Sequence, residues 1–199
     1  VFFGTDWQYQ NVQQASTNIT FNHQFNTNWT FNAVASYQNY TKDYFNWKNE
    51  LIFRYGINGQ EGRETRKTDD IIQLNSNIGY RTAENSDWYY TSKFSFTTQA
   101  TDGFAYPNIT KPVSSFFAPA YLFLGVGTEY ALKEKQFSVY ISPLTQKSTF
   151  VLYQNLADAG AFGVTKAVYD ADGNRIIKGK NSRTEVGFFM NTFWKHEIF

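Results

Sequence analysis

Eight stretches of the chain alternate apolar and polar residues with a period of two, and many of the apolar residues are aromatic. This alternation is typical of β-strands that have one face in an apolar environment. In the clearest stretch, Val186, Phe188 and Met190 alternate with Glu185 and Asn191. Strands of about 10 to 14 residues with aromatic residues at their ends suit a transmembrane β-barrel better than a soluble sandwich, which is the alternative fold.

The alternation predicts eight strands. They cover residues 17–25, 29–40, 46–57, 69–81, 87–100, 117–131, 136–151 and 181–195. Pro143 predicts a bulge or bend in the seventh strand, because proline cannot donate to a ladder. The sequence therefore predicts an all-β fold, an antiparallel up-and-down transmembrane β-barrel with about eight strands in this chain, alone or as part of a larger barrel.

The links between the predicted strands differ in length. Outer-membrane barrels pair short periplasmic turns with longer extracellular loops. Here short links at 41–45, 82–86 and 132–135 alternate with long links at 58–68, 101–116 and 152–180. The short link at 26–28 breaks this rule. The pattern predicts that the long links face the outside and that the segment after Trp194 reaches the periplasm.

Composition limits the other classes of function. Aromatic residues make up 20% of the chain and charged residues 18%, whereas about 25% charged residues is usual in soluble domains. No apolar run approaches the roughly 18 residues that a membrane helix needs. The net charge of +1 offers no basic field for nucleic acid. The absence of cysteine removes disulfides and thiolate nucleophiles. We expect one domain over residues 1–199.

The polar side of the alternation carries charges of both signs. In a barrel of about eight strands the interior is filled by side chains, so these charges are expected to pair with one another. In a larger barrel the same residues would line a channel or a ligand site. The predicted lumen charges are Lys48, Glu50, Arg54, Lys93, Glu129, Arg183, Glu185 and Lys195.

Tryptophan and tyrosine residues fall at the ends of the predicted strands. Amphipathic rings at such positions are typical of the aromatic belts at membrane interfaces, and a stacking platform for carbohydrate or bases is the alternative. The predicted interface aromatics are Trp29, Trp47, Trp88, Tyr90 and Trp194.

The long link at 152–180 contains an unusually apolar run, residues 156–163. Loops of this length are usually functional or disordered. The run has too many small residues for a helix with one apolar face, so we expect it to fold into the barrel mouth or to contact a partner, with packing against its own loop as the alternative. Leu156, Asp158 and Phe162 are the candidate partner residues.

Three other groups carry possible chemistry. Asp170, Asp172 and Gly173 have the form of half a calcium loop, but the Glu expected at its last position is absent, and Asp-Gly between β-prone runs predicts a hairpin turn. The adjacent carboxylates of Asp69 and Asp70 are expected to be neutralised by nearby cations in a loop. His23 and His196 form no metal motif. No catalytic residue, metal or cofactor is predicted.

From Trp47 onward the chain resembles an uncharacterised, domain-of-unknown-function family of outer-membrane β-barrel proteins of Bacteroidota. The resemblance spans about three-quarters of the chain. The matching sequence segments are Trp47-Lys-Asn-Glu-Leu, Arg66-Lys-Thr-Asp-Asp70, Trp88-Tyr-Tyr, Phe96-Thr-Thr-Gln99, Phe117-Ala-Pro-Ala-Tyr121, Ser142-Pro-Leu-Thr145 and Leu156-Ala-Asp-Ala-Gly-Ala-Phe-Gly163. The residues before about 45 match poorly, and similar proteins continue beyond the position of Phe199. The resemblance implies a fragment of a larger barrel and no established activity.

These observations predict a non-enzymatic, integral protein of the bacterial outer membrane, acting as an accessory or scaffold subunit of an envelope complex. Its expected partners are outer-membrane lipid and other outer-membrane proteins, and not nucleic acid. The alternative is an outer-membrane channel or an uptake barrel for small or hydrophobic solutes. An outer-membrane enzyme is the third hypothesis, and it requires carboxylates near His23 or His196.

Overall fold

The computed structural model describes residues 12–13, 17–24, 28–42, 44–58, 65–132 and 136–195, and for the first three ranges it describes the backbone only. This part of the chain is all-β with antiparallel sheets, as the alternation predicts. None of its helices is long and apolar enough to cross a membrane. The strands are β1 (Val12–Gln13), β2 (Thr17–Gln24), β3 (Asn28–Lys42), β4 (Phe45–Asn58), β5 (Arg66–Arg81), β6 (Trp88–Thr98), β7 (Gly103–Phe104), β8 (Pro112–Ser114), β9 (Ala120–Leu132), β10 (Phe137–Phe150), β11 (Val168–Tyr169), β12 (Arg175–Ile177) and β13 (Ser182–Trp194).

Eight long strands form one up-and-down sheet. Their order is β2, β3, β4, β5, β6, β9, β10 and β13, and β1 also pairs with β3. These eight strands coincide with the eight predicted ones to within about three residues at each end. The sheet is open in the described part of the chain, where β13 pairs with β10 alone. A closed barrel is therefore not detected, and closure stays a prediction.

Two strands begin away from their predicted positions. β5 begins at Arg66 instead of residue 69, because Lys67 and Arg66 continue the ladder with Ile57 and Asn58 of β4. β9 begins at Ala120 instead of residue 117. Phe117 has a φ of 53°, and a tight turn joins Ser115 to Ala118 by two backbone hydrogen bonds, so an extended strand cannot include this segment.

The register of the sheet separates a polar face from an apolar face. Residues directly opposite each other in antiparallel strands place their side chains on the same face. One row across six strands shows the polar face: Glu50, Asn75, Ser95, Phe123, Lys147 and Glu185. The neighbouring row shows the apolar face: Leu51, Leu74, Phe96, Leu122, Ser148 and Thr184.

The predicted irregularity at Pro143 is confirmed. The register of β10 shifts between Ile141 and Leu144 on the β9 side and between Ser142 and Thr145 on the β13 side. Residues on both sides of this bulge stay in the ladder, so β10 continues to Phe150. A bulge of this kind, with two residues of one strand opposite one of its partner, typically bends the strand.

Residues 101–119 and 151–181 pack together at the long-link end of the sheet, and we call them the cap. The cap contains the hairpins β7–β8 and β11–β12, one helical turn, α1 (Gln154–Asp158), and a 3₁₀ turn (Ala161–Gly163). The run 156–163, which was not expected to form a helix with one apolar face, thus contributes its first three residues to the single turn of α1. The buried core of the cap consists of Ala118, Val151, Ala157 and Val164, with Leu156 packed against it.

No layer of the described chain covers the apolar face. Its large side chains stay exposed on strand after strand, up to 68% for Val186 and Phe188. A soluble sheet normally buries its apolar face against another layer. The other exposed apolar side chains of this face include Trp47, Leu51, Leu74, Ile78, Tyr80, Trp88, Tyr90, Leu124, Val126, Leu144, Met190 and Trp194.

Candidate functional site

The polar face of the large sheet gathers the predicted lumen charges. Cross-strand register places seven of the eight on this face: Lys48, Glu50, Arg54, Lys93, Glu129, Arg183 and Glu185. The eighth, Lys195, directly follows β13, and its backbone N–H donates to the carbonyl of Gln136. The polar face is therefore the part of the molecule where charged side chains from distant segments meet.

Among the predicted lumen charges, the most enclosed ion pair joins Lys93 to Glu129. Lys93 lies opposite Gly125, and Glu129 lies four residues further along β9 on the same face. Because Gly125 and Gly127 carry no side chains, the lysine extends along β9 and brings Nζ to 3.1 Å from the carboxylate of Glu129. The same ammonium lies 4.2 Å from the centre of the Tyr140 ring. A carboxylate and an aromatic ring thus hold one cation between them.

A second polar cluster is built around the amide of Asn75. Its nitrogen donates to Glu50 Oε2 at 2.7 Å, and its oxygen accepts hydrogen bonds from Ser95 Oγ at 2.7 Å and from Gln73 Nε2 at 3.2 Å. The Asn75 amide thereby links β4 to β6 through side chains. Such satisfied networks fix neighbouring strands in one register.

The remaining predicted charges are more exposed. Arg54 pairs with Asp69 at 3.2 Å, and Arg183 pairs with Glu185 on the edge strand. Exposed pairs of this kind contribute about 0 to 1 kcal/mol each to stability. Lys48 is exposed and has no carboxylate partner among the described side chains.

The polar face is concave, because one groove of about 660 Å³ is lined by residues from β4 at one side and β13 at the other. Aromatic rings line its β13 side: Phe189 packs edge-on against Phe123 at 5.1 Å between ring centres and lies 6.3 Å from Tyr140. Amide side chains line much of the rest. The groove is therefore lined by charged side chains, amides and aromatic rings.

Aromatic side chains form a belt on the apolar face at the short-link end of the sheet. Trp47 and Trp88 lie near the starts of β4 and β6, and Trp194 is the last residue of β13. Tyr90 and Tyr80 are opposite each other across β5 and β6. Trp47, Trp88, Tyr90 and Trp194 are between 42% and 67% exposed. The side chain of Trp29 lies outside the described part of the chain.

The cap positions the three candidate partner residues differently. Leu156 packs against the cap core, and Asp158 is buried. Asp158 accepts hydrogen bonds from Gly179 N–H at 2.8 Å and from Gln154 Nε2 at 2.7 Å, and it pairs with Arg175. Burial alone would raise the pKa of the Asp158 carboxyl, but the Gly179, Gln154 and Arg175 contacts together lower it below its usual range. Of the three, Phe162 is the most exposed, at 37%.

The cap also presents apolar side chains to the outside. The hairpin β11–β12 exposes Val168, Tyr169, Ile176 and Ile177, each between 47% and 64% exposed. An ion pair with a buried carboxylate anchors this hairpin, since Arg175 reaches Asp158 from the first position of β12. We call these four residues the apolar hairpin tip.

The Asp-Gly hairpin predicted at residues 170–174 is confirmed. Asp170 Oδ1 accepts from the N–H groups of Asp172 and Asn174 at 3.0 and 2.7 Å, and Gly173 has a φ of 85°. The hydrogen bonds from Asn174, first of all, lower the pKa of Asp170. The turn thus uses the carboxylate that a calcium site would need.

Asp69 and Asp70 do not form a carboxylate pair. They lie in β5, and not in a loop as expected, and consecutive strand residues point to opposite faces. Asp70 accepts hydrogen bonds from Lys67 and from the backbone N–H groups of Ala100 and Thr101. Both carboxylates pair with cations, Asp69 with Arg54 of β4 and Asp70 with Lys67, but the side chain of Asp70 is buried and not solvated as expected. The side chains of His23 and His196 lie outside the described part of the chain.

The aromatic rings of the polar face were not predicted as site residues from the sequence. Tyr140 is 1% exposed and packs over Gly125, and Phe189 lies in the same groove. The signal was present, because both residues fall on the polar side of the alternation, where an aromatic ring is out of place. An aromatic ring there predicts a neighbouring position without a side chain.

Comparison with known proteins identifies one family and no individual relative. Neither the curated proteins nor the solved structures contain a match to this chain. Residues 22–104 match a family described as Protein of unknown function (DUF3078), which covers β3 to β6 and the start of the cap. This match confirms the resemblance to an uncharacterised family. The chain is thus similar to this domain-of-unknown-function family over residues 22–104, which is less than half of its length.

Proposed function

We propose that the chain is a transmembrane β-sheet protein of the bacterial outer membrane, whose long strands form or contribute to a barrel. It acts without enzymatic chemistry, as an accessory or scaffold subunit of an envelope complex. Outer-membrane lipid contacts its apolar face, and other outer-membrane proteins contact its cap.

The uncovered apolar face is the observation that carries this proposal. Apolar surface costs about 25 cal/mol per Å² when water covers it, so a continuous exposed face needs an apolar environment. The belt that contains Trp47, Trp88, Tyr90 and Trp194 lies at one end of that face. An apolar band with an aromatic girdle suits a bilayer, with the rings at headgroup depth.

The polar face favours the scaffold role over a channel. Its charges compensate one another in the Lys93–Glu129 and Arg54–Asp69 pairs. Tyr140, Phe123 and Phe189 occupy part of the space above the sheet. Small barrels filled in this way leave no water path.

The cap supports a role in protein contact. It has its own buried core, and its apolar hairpin tip stands exposed at the end of the sheet. Exposed apolar residues on an ordered support are typical of protein interaction surfaces.

The experiment is a detergent pull-down from native membranes followed by mass spectrometry, with the protein at its natural level. We expect a reproducible outer-membrane partner, and its loss with the variant Ile176→Asp/Ile177→Asp. Tyr121→Ser, an exposed residue of the sheet, is the control and should retain the partner. A steady ion current from the reconstituted protein, with no partner recovered, would favour the channel instead.

A further inference from the structure

A second cavity, of about 250 Å³, lies on the polar face towards the short-link end, between β4, β5, β6 and β9. We call it the end cavity. The residues that matter for its chemistry are Lys48, Gly79, Arg81, Thr91, Lys93 and Glu129. No predicted function of the sheet uses this cavity.

Glycines flank the threonine at the floor of the end cavity. Thr91 of β6 lies opposite Gly79 on one neighbouring strand and opposite Gly127 on the other. Side chains are therefore missing on both sides of the threonine. Lys93 and Tyr89 lie on the same face of β6, two residues after and two residues before Thr91. The floor of the end cavity thus includes Gly79 and Thr91, and long polar side chains form much of its walls.

The walls carry excess positive charge. Three cations line the cavity, Lys48, Arg81 and Lys93, against the single carboxylate of Glu129. Glu129 already pairs with Lys93 at 3.1 Å. Two positive charges in the lining thus remain without a carboxylate among the described side chains.

Neutral acceptors hold the Arg81 guanidinium. It donates to the hydroxyl of Tyr89 at 2.8 Å and to the backbone carbonyl of Glu84 at 2.9 Å. Lys48 has no described carboxylate partner, and β3, which pairs with β4 beside it, contains no Asp or Glu. Among the described side chains, no carboxylate competes with a ligand for the charge of these two cations.

A buried hydroxyl at the cavity floor also lacks a partner. Thr91 is 5% exposed, and its Oγ1 has no hydrogen-bond partner among the described residues. Buried hydroxyl groups are nearly always hydrogen-bonded in folded proteins. An oxygen-rich group in the end cavity would give this donor an acceptor after a small side-chain rotation.

We propose that the end cavity binds a small oxyanion, carried as a phosphate or a carboxylate group. Lys48 and Arg81 supply charge, and Thr91 donates a hydrogen bond. Arginine and lysine together are the usual partners of both oxyanions. The cavity is smaller than the roughly 300 to 1,000 Å³ of sites for drug-sized molecules, which restricts the ligand to a small anion. This inference does not depend on the scaffold role.

The test is calorimetric titration of the purified full chain at constant ionic strength, with inorganic phosphate in one arm and succinate in the other. We expect saturable binding of at least one of the two anions. The anion with the higher affinity shows whether the cavity prefers a phosphate or a carboxylate group. Absence of saturable binding in both arms would overturn the proposal.

Two variants locate the site. Lys48→Gln should weaken binding by about tenfold, the usual effect of losing one charged hydrogen bond. Thr91→Val removes the hydroxyl at nearly constant shape, and should weaken binding by about threefold or more with no loss of thermal stability. The control is Lys147→Gln, an exposed lysine of the polar face outside the cavity. Equal affinities for Lys48→Gln and Lys147→Gln would place the anion elsewhere and refute the proposal.

Discussion

Lys93 and Glu129 form an ion pair of 3.1 Å across a stretch of β9 where Gly125 and Gly127 leave the polar face without side chains. The two glycines also let β10 approach β9 closely, because the Tyr140 hydroxyl lies over Gly125 and the backbone of Ile141 and Ser142 lies over Gly127. The packing of this face is therefore organised around two missing side chains.

Gly127→Ala should destabilise the fold strongly. A Cβ at Gly127 would collide with the carbonyl oxygen of Ile141 and lie 2.7 Å from Ser142 Cα, both backbone atoms beside the β10 bulge. We expect a loss of about 1 to 3 kcal/mol in the free energy of unfolding, as for other overpacked sites. Denaturant unfolding of the detergent-solubilised protein measures it.

Gly187→Ala is the matched control, because a Cβ there meets no atom within 4 Å. Its free energy of unfolding should stay within about 0.5 kcal/mol of the parent protein. Equal losses for the two alanine variants would contradict the packing described for β9 and β10.

The Lys93–Glu129 pair should show energetic coupling. Both side chains are about one-quarter exposed, so removal of one partner leaves the other charge partly buried and unpaired. We expect Lys93→Met and Glu129→Gln to lower the free energy of unfolding by about 1 to 2 kcal/mol each, and the double variant to lose less than their sum. A double-mutant cycle measures the coupling. The exposed pair Arg183–Glu185 provides the comparison and should give about 0.5 kcal/mol or less.

Acid should loosen the cap. The pKa of Asp158 is lower in the folded chain than its ordinary value of 3.8. A depressed carboxyl pKa stabilises the fold at pH values above the unfolded pKa, and this contribution disappears as the pH falls through the folded pKa. Hydrogen exchange at Gly179 N–H, which donates to Asp158, should therefore report constant cap stability from neutral pH down to about 4 and a decline below it.

Asp158→Asn tests the source of that decline. The variant should have a less stable cap than the parent protein at neutral pH, and the difference should shrink as the pH falls below about 4. A difference that stays constant across this range would rule out Asp158 as the origin of the acid sensitivity.

Much of this fold could be predicted from the sequence, because the period-two alternation reports which residues share a face. Val186, Phe188 and Met190 could be assigned to one side of β13 without any knowledge of the neighbouring strands. Pro143 predicted the bulge in β10. The pairing of Lys93 with Glu129 could not be predicted, because it depends on the register of β6 against β9 and on the two glycines between these side chains. The helical turn at Gln154–Asp158 was missed for a related reason: tertiary contacts of Leu156 and Asp158 stabilise it, and five residues carry too little periodicity.

A charged residue introduced on the apolar face tests whether this face contacts lipid or water. Phe188 is 68% exposed, so in a water-soluble sheet Phe188→Arg should change the free energy of unfolding by about 0.5 kcal/mol or less. If the face contacts the bilayer interior, the same variant should lose about 2 to 4 kcal/mol when refolded in lipid vesicles. Phe188→Leu keeps the position apolar and serves as the control.

The most direct test of the central claim is an accessibility scan along β13 in native membranes. The chain contains no cysteine, so single cysteines at Glu185, Val186, Phe188, Phe189, Met190 and Asn191 can each be probed alone. We predict alternation: Val186, Phe188 and Met190 resist a charged, membrane-impermeant thiol reagent and are quenched by lipid-borne probes, whereas the lipid probes do not reach Glu185, Phe189 and Asn191. Uniform reaction of Val186, Phe188 and Met190 with the charged reagent, without quenching from the lipid, would contradict a membrane-embedded apolar face.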